Sequence, residues 1–391
     1  MESIENLKKN IENKNVILRL DLNVPIKNGK ITDTNRIDKI IPTINFLLKK
    51  KAKIIIISHI GRPNGKIVKE LSLEPVSLCI KDKIKKKVLL LKENIFNLNK
   101  KDIFKNSSDG VVLLENIRFY PEEEANDEKF SEKLASLGEI YVNDAFSCSH
   151  RDHASVSKIT KYVPSYSGIQ INTELNALNK ITSEIKKPVT CIIGGSKISS
   201  KINIIKNLIP KFNNIIIVGA MANNIFKYKG LKIGKSLYEK NVNQLIQEIF
   251  TLANDNNCKI YFPNDVKVGK NLNDKSSEKE FSNVEDDDMI LDVGSKTLVE
   301  IKNIIENSST ILWNGPLGYC ENENFSFGSL EVAKYIGNKG DKIFSVVGGG
   351  DTVAVINSCN MDKKFNFVST AGGAFLEYLE GKILPGIKAL N

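Results

Sequence analysis

Residues 189–208 read VTCIIGGSKISSKINIIKNL, and this stretch shows the pattern on which the whole chain is built. The apolar run Val189–Ile193 ends on two glycines and is followed by Ser199–Leu208, in which apolar residues repeat at helical spacing. A short apolar run, a glycine loop and an amphipathic segment are typical of a buried strand, a turn and a helix packed on the sheet. The stretch therefore predicts one β–loop–α unit.

The same unit recurs in both halves of the chain. Helix-like segments such as Asp33–Lys50 and Val242–Leu252 separate further short apolar runs. These runs are Val16–Leu20, Ile54–Ile57, Val88–Leu91, Val111–Leu114 and Glu139–Val142 in the first half, and Ile215–Val218, Lys259–Phe262, Thr310–Trp313, Lys342–Val347 and Phe365–Val368 in the second. Alternating strands and helices favour parallel sheets covered on both faces. We therefore predict the α/β class, with two doubly wound, Rossmann-like parallel-sheet domains.

The length and one composition shift indicate where the domains meet. At about 100–200 residues per domain, 391 residues correspond to two or three domains. Val163–Gln170 is rich in Pro, Ser and Gly and is the candidate junction, and the helix-like Asn172–Ile185 after it is the candidate hinge helix. Ligands of doubly wound sheets bind beyond the carboxyl ends of the strands. Functional residues are therefore expected in the loops that follow the apolar runs.

The composition argues against several classes of protein. No apolar run approaches the roughly 18 residues of a membrane span, and Met1–Asn10 lacks the apolar region of a signal peptide. The six cysteines show no CxxC or metal-ligand spacing, which indicates free thiols in a reducing cytoplasm. The net charge of +10 is spread over the chain instead of forming a basic arm. We expect neither a nucleic-acid partner nor a membrane partner.

Arginine is rare and unevenly placed. Only five of 56 basic residues are arginine, and all five lie within the first 151 residues, while the three histidines lie within the first 153. In so lysine-rich a chain, arginine is expected where its planar fork must bind carboxylate or phosphate. Arg62, Arg118 and Arg151 lie in the loops that follow predicted strands, and Arg36 opens the first helix-like segment. The first half is therefore predicted to bind a small, highly charged anion, with surface ion pairs as the alternative.

Glycine takes the corresponding place in the second half. Five predicted strand ends carry glycine-rich loops: Gly194–Lys197, Gly219–Ala220, Asn314–Gly318, Gly348–Thr352 and Ser369–Gly373. Glycine lets backbone N–H groups approach a phosphate, and the helix that follows favours negative charge. Lys197 and Lys201, four residues apart, are predicted to share one face of a helix. Asp351 is either a helix N-cap or a magnesium ligand. This half is predicted to bind a magnesium nucleotide.

Segments throughout the chain resemble the phosphoglycerate kinase family. In the first half these are RLDLNVP (19–25), SHIGRP (58–63), LLENIRFYPEEE (113–124) and YVNDAFSCSHRDHAS (141–155). In the second they are GGSKISSKI (194–202), WNGPLG (313–318), GGGDTVA (348–354) and LEGKILPG (379–386). The resemblance covers essentially the full length, in the family's order.

The resemblance implies a role for individual residues. It implies a 3-phosphoglycerate site of Asp21, Asn23, Arg36, His59, Arg62, Arg118 and Arg151, and a catalytic group of Arg36, Lys197, Gly372 and Gly373. It implies nucleotide contacts from Lys201, Glu321, Gly349, Gly350, Asp351 and Thr352, with Asp351 holding Mg²⁺. Residues 1–168 with 380–391 would form the 3-phosphoglycerate-binding domain and residues 169–379 the nucleotide-binding domain. The family also implies a monomer in the cytoplasm that acts on small molecules.

A few positions depart from the family pattern. Val218, Ala220 and Ala371 stand where glycine is more usual, and each added Cβ is expected to tighten the nucleotide pocket. Asp152 puts a carboxylate beside Arg151 and is expected to weaken substrate binding. Ser295 replaces a usual proline. None of these changes removes a charged catalytic group.

The implied reaction, reversible phosphoryl transfer between 1,3-bisphosphoglycerate and ADP, needs no general base. The nucleophile in the ATP-consuming direction is a carboxylate that is already ionised at neutral pH. Catalysis then consists of in-line positioning and charge neutralisation, with closure of the two domains about the hinge. A nicotinamide-dependent dehydrogenase is a second reading, but neither first strand is followed by its GxGxxG turn. A nucleic-acid-binding relative is a third, and salt-sensitive duplex binding would distinguish it.

Overall fold

A computed structural model describes all 391 residues, which divide into two compact units. Unit 1 comprises Met1–Asn176 and Ile383–Asn391, and unit 2 comprises Ala177–Lys382. Each unit is built on its own six-stranded parallel sheet. The predicted class of α/β protein with two doubly wound parallel sheets is therefore confirmed.

Unit 1 places its sheet between helices. Its strands are β1 (Asn15–Arg19), β2 (Ile26–Lys27), β3 (Lys30–Ile31), β4 (Lys53–Ile57), β5 (Leu89–Leu91), β6 (Val111–Leu114), β7 (Ile140–Asn143) and β8 (Ser165–Ser167), and its helices are α1 (Asn35–Lys49), α2 (Glu74–Ile84), α3 (Pro121–Glu124), α4 (Glu128–Ser136) and the start of α5 (Ile169–Thr182). The sheet order is β5-β6-β4-β1-β7-β8, while β2 and β3 form a separate hairpin. The central strands β1, β6 and β7 are buried along their whole length, as continuous apolar runs between two helix layers require.

Unit 2 repeats this plan and adds a small second sheet. Its strands are β9 (Val189–Ile193), β10 (Asn214–Ile217), β11 (Lys259–Tyr261), β12 (Asp265–Gly269), β13 (Ser277–Glu280), β14 (Met289–Val293), β15 (Thr310–Asn314), β16 (Phe344–Gly348) and β17 (Phe367–Val368). Its helices are α6 (Ile202–Leu208), α7 (Ala222–Tyr228), α8 (Asn243–Asp255), α9 (Ser295–Glu306), α10 (Phe327–Gly337), α11 (Gly350–Ser358) and α12 (Gly373–Leu379). The parallel order is β11-β10-β9-β15-β16-β17. A core around the buried Trp313 packs against one face of this sheet.

The chain ends by returning to unit 1. The short helix α13 (Pro385–Lys388) follows α12, and the Gly386 N–H donates to the Ser149 carbonyl oxygen at 2.8 Å. A Cβ at Gly386 would lie 2.7 Å from the Val156 side chain, so the C-terminal segment is held by a close backbone approach. This contact explains why Ile383–Asn391 cluster with the first unit.

Several elements differ from the sequence-based expectations. The antiparallel sheet β13-β12-β14 and the edge strand β8 were not predicted. Strand β13 reads Ser-Glu-Lys-Glu and is largely exposed, so it is held by ladder hydrogen bonds to β12 and carries no apolar pattern. The helix predicted at Asn172–Ile185 is α5, three residues earlier at both ends. The division between the units passes through α5, because its first turns bond to unit 1.

No helix of the structure combines the length and apolar character needed to cross a bilayer. Ser295, at the position of a usual proline, is the first residue of α9. Proline is favoured at this helix position because its missing N–H would have no helical partner. Serine fits there as well, and its hydroxyl donates to Glu278.

Candidate active site

Four loops of unit 1 leave the same edge of its sheet. Strands β6, β4, β1 and β7 are consecutive in the sheet and parallel, so the loops after them are neighbours at their carboxyl ends. The sequence-predicted residues of the acid site lie in these four loops or, for Arg36, in the first turn of α1. The sheet therefore gathers residues that are 130 positions apart in the chain.

Asp21 organises the centre of this edge. Its carboxylate receives two hydrogen bonds from one Arg36 nitrogen, at 3.1 and 2.8 Å, and one from the Ser147 hydroxyl at 2.5 Å. The Asn23 N–H donates to the same carboxylate at 3.1 Å, and the Asn23 side-chain oxygen accepts from the Gly61 N–H at 2.9 Å. Asp21 is buried whereas Arg36 is part-exposed. The Asp21 carboxylate thus holds the Arg36 guanidinium in place, and the guanidinium remains partly exposed to solvent.

Arg118 is positioned from a second loop. One terminal nitrogen donates to the Gly61 carbonyl at 3.0 Å, and its Nε lies 3.4 Å from a Glu124 oxygen without forming a hydrogen bond. Burial lowers the pKa of Arg118, and Glu124 partly opposes this effect. The Arg118 Nε is therefore a buried donor without an acceptor, and an anionic ligand would supply one.

Arg19 and His59 form a buried layer behind the edge. Arg19 is 1% exposed and bonds to Ser155 (3.0 Å), to the Leu20 carbonyl and to His59 Nδ1 (3.1 Å). Burial and the Arg19 charge hold the pKa of His59 well below its usual range, so the imidazole is neutral at pH 7. The buried carboxyl group of Glu123 faces the same layer. Arg19 is therefore a buried support for His59 and lies too deep to meet a substrate directly.

Arg62 and Arg151 are exposed, and their guanidinium groups make no hydrogen bond or ion pair with the protein. The structure does not link them to the Asp21 network by side-chain bonds, although their loops leave the same sheet edge. Asp152 does not pair with Arg151, because its carboxylate accepts from the Ser157 hydroxyl instead. The expected interference of Asp152 with Arg151 therefore has no support in the contacts.

The glycine loops of unit 2 meet where its strand order reverses. The chain runs outward from β9 to β11 on one side and from β15 to β17 on the other, which makes β9/β15 the topological switch point. A Cβ on Gly194 would lie 2.1 Å from the Pro316 oxygen, and a Cβ on Gly315 would lie 2.1 Å from the Gly194 oxygen. Only glycine permits so close an approach of these two loops. Doubly wound sheets bind their ligands in the crevice at such a switch point.

A cavity of about 560 Å³ opens beside this crevice. Its walls are largely apolar, with Phe226, Leu237 and Leu317 among them, and its polar groups include Glu321 and Asp351. Such a volume and a largely apolar lining suit a nucleotide base. Ala220 is among the residues that line the cavity. Val218 and Ala371 instead are buried, Val218 in the hydrophobic core, so the expected tightening by these two residues is not observed.

The two lysines of the first glycine loop have different surroundings. Lys201 Nζ donates to the Asn314 side-chain oxygen at 2.8 Å, and the Asn314 amide donates to the Gly348 carbonyl at 2.8 Å. Burial lowers the pKa of Lys201. Lys197 is exposed, and its amine has no hydrogen-bonding or ion-pair partner, although its carbonyl accepts from the Ser200 hydroxyl. The prediction of a shared helix face was wrong, because α6 begins only at Ile202 and both lysines precede it.

Two helices begin at the remaining glycine loops. Gly349 precedes α11 with φ of +97°, a conformation that favours glycine, and Thr352 in the first turn accepts from the Gly315 N–H at 2.7 Å. Gly372 precedes α12 with φ of +54°. The first-turn N–H groups of both helices are available as anion donors.

Asp351 fits the chemistry of a magnesium ligand. Its side chain is exposed in the first turn of α11, lines the 560 Å³ cavity and makes no hydrogen bond or ion pair with the protein. Mg²⁺ is usually held by one or two carboxylates together with the phosphates of the nucleotide. A single unpaired carboxylate in the wall of this cavity therefore suits the ion.

Sequence reasoning missed three supporting residues. Asn314 connects Lys201 to the β16 loop, Ser147 bonds to Asp21, and Asn116 donates to the Ile60 and Leu71 carbonyls. Asn314 and Asn116 stand at or just past strand ends, which was the available signal. Ser147 carried no signal in its local sequence.

Comparisons with known proteins agree over the whole chain. A family model described as phosphoglycerate kinase matches residues 4–382. A phosphoglycerate kinase of Wolbachia pipientis wMel is 44% identical over 394 residues, covering 100% of this chain and 98% of that protein. One from Rhodopseudomonas palustris is 43% identical over 385 residues, covering 97% and 96%.

Solved structures of the family superpose on the fold. The phosphoglycerate kinase of Coxiella burnetii matches with a TM-score of 0.91 at 38% identity, covering 99% of this chain and 98% of that one. The enzyme of Pyrococcus horikoshii OT3 matches with a TM-score of 0.82 at 27% identity, covering 100% and 98%. The family model, the sequence identity and the shared fold together show that this chain belongs to the phosphoglycerate kinase family.

Proposed function

We propose that this chain performs the reaction of its family, the reversible transfer of a phosphoryl group between 1,3-bisphosphoglycerate and ADP, as a direct in-line transfer. The products are 3-phosphoglycerate and ATP, which makes the chain a glycolytic phosphotransferase with a carboxyl group as acceptor. We further propose that unit 1 binds the three-carbon acid and unit 2 binds the nucleotide.

One contrast between the units carries this proposal. Unit 1 presents guanidinium groups at its central strand ends, with Arg36 fixed by Asp21 and Arg118 by Gly61. Unit 2 presents glycine loops and two lysines beside an apolar cavity. Forked cations suit a small acid that bears carboxylate and phosphate, whereas backbone N–H groups and an apolar slot suit a nucleotide. We extend the substrate-binding role to Asp21, Asn23, His59, Arg62 and Arg151, because their loops leave the same edge of the sheet.

In the proposed mechanism the protein positions two polyanions and neutralises charge. The attacking carboxylate is ionised at neutral pH, so no proton must be removed from it. Lys197, Arg36 and the N–H groups at Gly372 and Gly373 stabilise the charge on the transferred group, while Lys201, Glu321, Gly349, Gly350 and Thr352 hold the nucleotide. Asp351 would hold Mg²⁺, which would neutralise phosphate charge when bound. No covalent phosphoenzyme is formed.

The two ligands are assigned to different units, so transfer requires that they come together. We propose that bending at α5 provides this step and excludes water from the acyl phosphate. We also propose that the chain acts as a monomer in the cytoplasm on free small molecules. Its six cysteines are all unpaired, which is consistent with a reducing compartment.

The direct test is an assay of ATP formation from 1,3-bisphosphoglycerate and ADP, coupled to a reporter enzyme that consumes ATP. Turnover that requires both substrates supports the proposal, and no ATP formation by folded protein would refute it. Gel shifts with duplex DNA at two salt concentrations would reveal the nucleic-acid-binding alternative.

Asp351→Asn is expected to raise the Mg²⁺ concentration that gives half-maximal activity by about tenfold or more, because a neutral amide is a weak magnesium ligand. The exposed side chain has no protein partner, so the thermal unfolding midpoint should stay unchanged. A magnesium titration at saturating substrates checks this result. An unaltered magnesium requirement would remove Asp351 from the metal site.

Arg151→Ala is expected to weaken 3-phosphoglycerate binding about tenfold or more and to leave ADP binding within about threefold, because a charge-assisted contact is lost at only one site. Asp152→Asn is the matched control: its carboxylate bonds to Ser157, so affinity for 3-phosphoglycerate should stay within about twofold. Isothermal titration with each ligand measures both. If Asp152→Asn binds 3-phosphoglycerate clearly more tightly than the unaltered protein, then Asp152 does weaken substrate binding.

His59 should contribute no ionisation to substrate binding at neutral pH. Burial and the Arg19 charge hold its pKa well below its usual range, so no ionisation of the ring is expected near neutral pH. The pH profiles of 3-phosphoglycerate affinity for the unaltered protein and for His59→Gln should therefore be parallel between about pH 6 and 8. An ionisation near 6.5 that disappears in the variant would show that His59 is charged in the site.

A further inference from the structure

The first turn of α5 is capped by side chains from distant parts of unit 1. The Ile169 N–H donates to the Thr43 hydroxyl at 3.2 Å, and the Ile171 N–H donates to Asp144 at 3.0 Å. The N–H groups at a helix start have no partner within the helix, so outside acceptors decide where that end is held. Gly168, just before α5, has no side chain with which to cap it.

Thr43 and Asp144 are joined to each other. The Thr43 hydroxyl donates to the second Asp144 oxygen, so both carboxylate oxygens are bonded. Thr43 is 0% exposed and Asp144 is 1% exposed. A Cβ on Gly168 would lie 2.2 Å from the Asp144 carboxyl, so glycine is required for the carboxylate to reach the helix end. Burial raises the pKa of Asp144 to about 7, which is consistent with the closeness of this packing.

Both side chains belong to elements that carry the proposed substrate residues. Thr43 lies on α1, seven residues and two helical turns after Arg36, which bonds to Asp21. Asp144 opens the loop that contains Ser147, which also bonds to Asp21, and Arg151. Two of the elements that carry proposed acid-site residues are thus tied to the same end of α5.

We propose that Thr43 and Asp144 are positioning residues for phosphoryl transfer, because they couple the acid-binding elements of unit 1 to the first turn of α5. This inference rests on the proposed assignment of the acid site. α5 crosses the division between the units, with residues to Asn176 in unit 1 and from Ala177 in unit 2. A change in α1 or in the Asp144 loop on substrate binding is passed to α5 through this hydroxyl and this carboxylate.

The first experiment needs no variant. Hydrogen exchange of peptides that cover residues 168–176 is measured by mass spectrometry with and without 3-phosphoglycerate, in the absence of nucleotide. We expect 3-phosphoglycerate to slow exchange at the start of α5. Unchanged exchange at a concentration that saturates the acid site, established by titration, would overturn the proposal.

The second experiment compares two substitutions of one residue. Thr43→Val keeps the shape and loses the hydroxyl, whereas Thr43→Ser keeps the hydroxyl and loses a methyl group. We expect Thr43→Val to lower turnover by about 10- to 100-fold, the effect of a small misplacement of reacting groups, with 3-phosphoglycerate affinity within about threefold. Thr43→Ser should keep turnover within about threefold.

The control is Thr173→Val, which removes an exposed α5 hydroxyl that donates to the Ile169 carbonyl, and which should retain full turnover. All variants are assayed at a temperature where circular dichroism shows them folded. If Thr43→Val turns over normally, or if Thr43→Ser is the more impaired variant, the hydroxyl is not a positioning group. These outcomes differ from failure of the proposed function, in which the unaltered protein itself forms no ATP. If Thr43→Val does not fold, the exchange experiment decides alone.

Discussion

Lys197→Ala should lower the rate of phosphoryl transfer by about 10³- to 10⁵-fold, the range lost when a phosphoryl-transfer site loses its transition-state cation. Lys197 follows the Gly194–Gly195 turn at the switch point of unit 2, and its amine has no partner in the protein. Its charge is therefore available to the transferred group, whose oxygens gain the most from a cation that is already in place. Lys201 cannot substitute, because its amine is bonded to Asn314.

The stability of the protein should not change with this substitution. The Lys197 side chain is exposed and makes no hydrogen bond, and exposed side chains without special contacts contribute little to folding. The matched control is Lys259→Ala, an exposed lysine at the amino end of β11 and so at the opposite edge of the sheet. We expect normal turnover in the control and equal unfolding midpoints in all three proteins. Near-normal turnover of Lys197→Ala in single-turnover measurements would contradict the catalytic role.

Arg36→Ala should weaken 3-phosphoglycerate binding by about 10²-fold and lower turnover further, because charge-assisted hydrogen bonds to an anion are lost at the acid site. ADP binding should stay within about threefold, since the nucleotide cavity is formed by unit 2 alone. Arg36→Lys should recover only part of the loss, because a single ammonium cannot reproduce the planar fork. Calorimetric titration with each ligand and steady-state kinetics measure these effects.

The folded state should survive the loss of Arg36. Asp21 keeps its bonds from the Ser147 hydroxyl and the Asn23 N–H, so the carboxylate is not left without partners. Lys101 is an exposed lysine that precedes β6 in the chain. Lys101→Ala removes one positive charge from unit 1 and is the control for a general change of charge. Equal weakening of acid and nucleotide binding by Arg36→Ala would contradict the assignment of one ligand to each unit.

Local sequence carried most of the information about the parallel sheets. The strand β9 is buried at every position, and its limits coincide with the predicted run Val189–Ile193. Strands such as β1 and β10 lie within one residue of their predicted runs. A strand buried on both faces must be apolar throughout, so its sequence alone reveals it. Strand β13 is largely exposed and need not be apolar, so its charged sequence gave no strand signal.

The chemistry of the site was visible in sequence as residue type, but the partners of each residue were not. Arg36 and Arg19 are both arginines in a lysine-rich chain, so their residue type gives the same signal. Arg36 nevertheless faces solvent beside Asp21, whereas Arg19 is buried against His59 and Ser155. Asp152 stands next to Arg151 in the chain but bonds to Ser157. Adjacency in sequence does not determine which way a side chain points, because the fold of the loop decides it.

The sequence by itself determined the two α/β units, the glycine turns and the types of charge at their strand ends, because apolar periodicity and glycine placement are properties of short segments. Tertiary structure alone decided that Lys201 bonds to Asn314, that Ser147 supports Asp21, and that Thr43 and Asp144 hold the start of α5. Each of these contacts joins residues about 30 to 130 positions apart, and only the packing of complete sheets and helices brings such residues within hydrogen-bonding distance.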